Sequence, residues 1–159
     1  MQDKTISRLI QAHRRTALAE NLGCSPENII PSPQCDKIFD VGAREYLVVT
    51  EQEATEIIAE QIENELWAFH PEWLIRHTLL RNSAKFAAAD YEAVLQAFTA
   101  IQHHLMETCN PMVRGLIEAT CGMPLFIEEA IAHNGRGHFL APCDENEEKQ
   151  DDFYIYRMD

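Results

Sequence analysis

Between residues 4 and 22 apolar side chains return at helical spacing, through Ile6, Leu9, Ile10, Ala17 and Leu22, and predict a helix with Gly23 at a left-handed C-terminal cap. Lys4, Arg8, Gln11 and Arg15 follow one another at offsets of four, three and four, so the predicted solvent face is basic. Pro26, Pro31 and Pro33 then remove backbone donors and restrict the residues before them, which predicts a loop. From Lys37 the period changes. Ile38-Phe39-Asp40-Val41 and Arg44-Glu45-Tyr46-Leu47-Val48-Val49 flank Gly42-Ala43, the pattern of a β-hairpin.

Thr50 stands three residues before Glu53, where hydroxyl and carboxylate can each accept the other's backbone amide at a helix start. The helix predicted from there runs to about Phe69. Ala54, Ile58, Ile62, Leu66 and Phe69 form its inward face, and Glu53, Glu56, Glu60 and Glu63 line the opposite side. Pro71 opens a further helix through Trp73, Leu74, Leu79 and Leu80, weakened by a polar break at Asn82-Ser83. Asp90 is the predicted cap of a long helix bearing Val94, Leu95, Phe98, Ile101 and Leu105, Asn110-Pro111 starts another that ends near Gly122, and a short one runs from Pro124 to about Ala132. Two closing strands are predicted at Gly137 to Leu140 and Phe153 to Arg157. The fold class expected is α+β, predominantly helical, with about six helices on a small antiparallel sheet of about four short strands, in a single domain over 1–159.

Charge alters this picture more than composition does. The chain carries a net charge of -13, unevenly distributed: residues 1–15 hold Lys4, Arg8, Arg14 and Arg15 against Asp3, and residues 45–65 hold seven glutamates with no lysine or arginine. Such a field repels nucleic acid and anionic membrane, so neither is an expected direct partner. The segment 144–152, with six acids and one lysine, reads as a mobile, solvated loop. No apolar run reaches the length of a membrane span, and the opening residues lack the apolar core of a secretion signal, so the expected location is the cytoplasm. Five cysteines without a C-x-x-C pair indicate reduced, mostly buried thiols.

Arg44 to Thr50, the glutamate-rich helix with Leu66-Trp67-Ala68-Phe69, Gly135-Arg136-Gly137-His138-Phe139-Leu140 and Phe153-Tyr154-Ile155-Tyr156-Arg157 together resemble an uncharacterised group of proteins carried by bacteriophages and other bacterial mobile elements, over residues 35–159. The group often has an Asp-Gly-x-Glu-like turn after the Gly-Arg-Gly-His-Phe-Leu run, where this chain has Pro142-Cys143-Asp144-Glu145-Asn146-Glu147. The resemblance implies a factor encoded by a mobile element and carries no chemistry with it.

Candidate chemistry is sparse. Glycines on either side of Arg136 would let backbone amides approach an anion, although Asn134-Gly135 ending a helix and Gly137 starting a strand account for the same residues. His133, His138, Cys143 and Asp144 lie within twelve residues and could supply a metal site or a Cys-His nucleophile pair, but proximity in sequence establishes neither the convergence zinc needs nor an oriented thiolate. His103 and His104 diverge on one helix, His70 suits a helix cap and His77 a helix surface. Trp67, Phe69 and Trp73 read as a core corner rather than a ligand platform. The expected function is therefore a non-enzymatic acidic interaction protein without cofactor or metal. Its sharper form inhibits a nucleic-acid-binding host defence enzyme through a row of Glu53, Glu56, Glu60 and Glu63 that mimics phosphate spacing. The alternative is a small enzyme or ligand-binding domain that uses Arg136 and His138, with Cys143 as a further candidate, at the mouth of the C-terminal hairpin. The basic N-terminal helix offers a route to homo-oligomers.

Overall fold

The computed structural model describes residues 2–79 and 88–159. It is α+β and predominantly helical, with a five-stranded antiparallel sheet. Contacts divide the chain into two compact units, Met1–Ile58 with Asn134–Asp159, and Ala59–His133.

The first unit contains the sheet. Helix α1 spans Gln2–Leu22, and the strands are β1 (Ile29–Pro31), β2 (Ile38–Val41), β3 (Arg44–Val49), β4 (Glu148–Gln150) and β5 (Phe153–Arg157), in the spatial order β1-β2-β3-β5-β4. Val41 pairs with Arg44 across a two-residue turn in which Gly42 has φ 67°. That sign of φ matches the right-handed twist of a tight hairpin, and glycine adopts it without a side-chain clash. Leu18 and Ala19 of α1 pack with Ile29, Phe39, Tyr46, Val48 and Ile155 on one sheet face. On the other face Leu47, Val49, Tyr154 and Tyr156 are also buried, which is why β3 and β5 read as unbroken apolar runs.

Three expectations need correction in this unit. Gly137 does not start a strand: Arg136–Leu140 is a short helix, α7, entered from Gly135 at φ 80°. A Cβ on Gly137 would run into the Glu145 carbonyl, so close backbone approach accounts for this glycine. The segment 144–152 is no free loop, because β4 lies within it and Asp144, Glu145, Glu147 and Glu148 each bind another side chain. The proline-rich stretch contains a 3-10 turn at Pro26–Asn28 and then edge strand β1, which Pro31 ends.

Helix α2 (Glu51–Asn64) runs from the first unit into the second, and Ala54, Ile58, Ile62 and Leu66 are buried as predicted. It ends earlier than expected, and a 3-10 turn at Leu66–Ala68 follows. The second unit continues with α3 (Pro71–His77), α4 (Ala88–Leu105), α5 (Asn110–Thr120) and α6 (Met123–Asn134). Asp90 falls in the first turn of α4 instead of capping it, and Leu105 is exposed. Leu80 and the break at Asn82-Ser83 lie outside the described residues, as does the side chain of Lys4.

Two side-chain amides, the half-buried Asn110 and the buried Gln102, hold the turn after α2. Asn110 accepts the Trp67 amide through Oδ1 at 2.7 Å and donates through Nδ2 to the carbonyls of Glu63 and Asn64. Gln102 donates to the carbonyls of Trp67 and Phe69 at 2.9 and 2.8 Å. Carbonyls left over at a helix end need such donors when water is excluded.

Candidate functional site

Of the four glutamates expected to form a row, two are used inside the molecule. Glu53 is the carboxylate of the predicted capping box: its Oε2 accepts the Thr50 amide at 2.9 Å, and its own amide donates to Thr50 Oγ1 at 3.4 Å. Arg14, which is only 3 % exposed, donates through Nη2 to both oxygens of the same carboxylate at 2.6 and 2.8 Å, and Lys37 Nζ lies 3.6 Å away. Burial works to raise the Glu53 pKa, but the Thr50 amide, Arg14 and Lys37 together outweigh it and hold the carboxyl below its ordinary value. Glu63 is bound by Arg114 Nη2 at 2.6 Å. A continuous open row of four is therefore corrected to two.

Those two are Glu56 and Glu60, both exposed. Glu56 accepts from Gln52 at 2.8 Å, and among the described residues no cation pairs with either carboxylate. The reason is general to this chain. Arg14, Lys37, Arg76, Arg114, Arg136 and Arg157 all form ion pairs within it, so most described cations neutralise acids near their own positions. The excess of acids stays at the surface.

The Gly-Arg-Gly region presents no free cation. Arg136 donates through Nε and Nη2 to the two oxygens of Glu147 at 2.8 and 2.7 Å, and its guanidinium lies 4.1 Å from the Tyr154 ring centre. Tyr156 donates its hydroxyl to Glu147 at 2.5 Å. The hydrogen bond to Glu147 strengthens the hold of Arg136 on its proton, while burial and then Glu147 raise the pKa of Tyr156. Glu147 resists protonation because Arg136 and Tyr156 outweigh the effect of its burial. His138 faces Glu145 at 3.2 Å, and Cys143 is exposed in a turn. Both residues expected to take a ligand thus have partners of their own chain. All five cysteines are free, but only Cys109 is buried, contrary to the expectation for most of them.

In the second unit Phe69 and Trp73 of the expected corner come together, with Phe126 in place of Trp67, and all three expected residues are half-buried. Trp73 packs against Phe69 and edge-on to Phe126, with ring centres 5.3 and 5.0 Å apart. His77 is more than a surface residue. Its ring stacks on Trp73 at 4.1 Å, and its Nδ1 is 2.8 Å from Glu129. Together with His70, Glu72, Arg76 and His133 these rings line an open groove of about 520 Å³. No group of three or more metal-binding side chains converges among the described residues, and no helix there is long and apolar enough to cross a membrane.

Compared with known proteins, the chain matches no family model, no curated protein and no solved structure.

Sequence reasoning identified the Thr50–Glu53 capping box and then counted Glu53 again as a free charge. It missed Arg14, Lys37, Arg114 and Glu147, the partners that take candidate residues out of use. For Glu53 the capping signal was sufficient, because a carboxylate accepting a backbone amide is already directed inward. Residues 14 and 53, or 136 and 147, carry no local pattern that joins them.

Proposed function

We propose that the protein is a non-enzymatic acidic binding factor, acting in the cytoplasm on a protein whose basic groove otherwise takes nucleic acid. The observation that carries this reading is the exposure of Glu56 and Glu60 without a paired cation among the described residues, whose own cations are mostly spent in internal pairs. On a helix these carboxylates stand one turn apart, about 6 Å, a spacing that suits neighbouring guanidinium or ammonium groups lining such a groove. The net charge of -13 speeds encounter with a basic surface and disfavours acidic partners. The resemblance to proteins of phages and mobile elements supports a host defence or processing enzyme as the target. Engagement of Arg136 by Glu147 weighs against the alternative of a ligand site there, since an anion would have to displace a bidentate carboxylate.

The test is capture from host lysate, with the immobilised protein washed at rising salt beside the double variant Glu56→Lys/Glu60→Lys. The partner should elute as salt rises. It should bind the variant about tenfold or more weakly, since reversal replaces two attractions with two repulsions. A partner held equally by both proteins and at every salt concentration would sink the reading.

A further inference from the structure

We propose that the groove of the second unit binds a small flat aromatic acid, its ring against the histidine and tryptophan rings and its carboxylate on Arg76. The groove lies between α3 and the end of α6, lined by His70, Glu72, Trp73, Arg76, His77 and His133, with a volume of about 520 Å³. Small-molecule sites commonly measure about 300 to 1,000 Å³. The wall is aromatic: His77 stacks on Trp73 with ring centres 4.1 Å apart, and the His133 ring centre is 6.3 Å from that of Trp73. Such rings receive a flat ligand ring in offset or edge-on contact.

Spare hydrogen-bond donors set the charge of the ligand. The acids beside the groove are engaged by their own chain: Glu72 accepts from Arg76 and Tyr91, and Glu129 pairs with His77. Among the described residues Arg76 has only a 3.5 Å contact with Glu72, and its side chain is 66 % exposed, so most of its five N–H groups are open to a ligand. His70 and His133 are exposed and have no hydrogen-bond partner there, and neither has the buried Nε1 of Trp73. A carboxylate answers this excess of donors. The Arg76 fork takes both of its oxygens at once, which the contact with Glu72 does not provide. A metal ion fits less well, because no three metal-binding side chains converge among the described residues. The net charge of -13 does not keep out a ligand with one negative charge, since physiological salt screens distant acids within about 8 Å.

Titration of the full chain with 1-naphthoate, followed by the histidine ring protons in NMR spectra, tests this. Binding should saturate with a Kd of about 1 mM or tighter, shifting the signals of His70, His77 and His133 and leaving those of His13, His103, His104 and His138 in place. The neutral 1-naphthamide should bind about tenfold more weakly, and so should 1-naphthoate to Arg76→Gln, whose exposed side chain can change without harm to the fold. His133→Ala should weaken binding as well, by removing part of the wall. Arg8→Gln, which removes an exposed cation of the first unit, should bind as the wild type does. Failure to saturate, equal affinity for acid and amide, unchanged binding by Arg76→Gln, or an equal loss in Arg8→Gln overturns the proposal.

Discussion

Glu53 joins three segments of the chain at once: it caps α2 through Thr50, neutralises the buried Arg14 of α1, and lies beside Lys37 ahead of β2. Removing one member of a buried pair leaves the other uncompensated, and here Arg14 Nε already has no hydrogen-bond partner. Glu53→Ala should therefore destabilise the fold by about 3 kcal/mol, measurable by urea denaturation. Glu53 also sets a pH dependence. Its folded-state pKa lies below the ordinary 4.5, so the stability it confers is complete above that value and is lost as pH falls through the folded one. Melting temperatures of the wild type should fall on acidification below about 4.5, and Glu53→Gln should show a shallower fall from a lower start. Equal slopes in the two proteins would show that the pairing contributes nothing.

Helix α7 shows how a short element escapes periodicity. Five residues are too few to separate a helical repeat from a strand alternation, and Phe139-Leu140 after glycine suits either. What decides is tertiary: Gly137 packs directly on the Glu145 backbone, a position no side chain can share. Gly137→Ala should cost about 2 kcal/mol in a denaturation series, and should do so without a change in helix propensity to explain it, since alanine is the better helix former. Edge strand β4 was hidden for a different reason. Glu148-Lys149-Gln150 carries the charged side chains that protect sheet edges, and the same composition marks a loop. By contrast the hairpin of β2 and β3 was legible from its glycine turn, the buried side of α2 from its helical period and cap, and strand β5 from an unbroken β-rich run. The candidate site was only half legible: helical spacing showed where Glu56 and Glu60 would project, and it could not show that residues 14 and 114 would take up Glu53 and Glu63.

For the molecule as a whole, net charge and fold are held by different groups. Near the sequence pI of about 4.9 the long-range repulsion between molecules vanishes, while Glu53 and Glu147 remain ionised because their partners depress their pKa values. Light scattering should therefore rise sharply around that pH while circular dichroism stays native, and simultaneous loss of both signals would refute this separation. The Arg14–Glu53 bridge carries a practical corollary. A shorter version for expression can be trimmed only ahead of residue 14, since a later start leaves the junction of β3 and α2 without its counter-ion and strips a helix from the sheet.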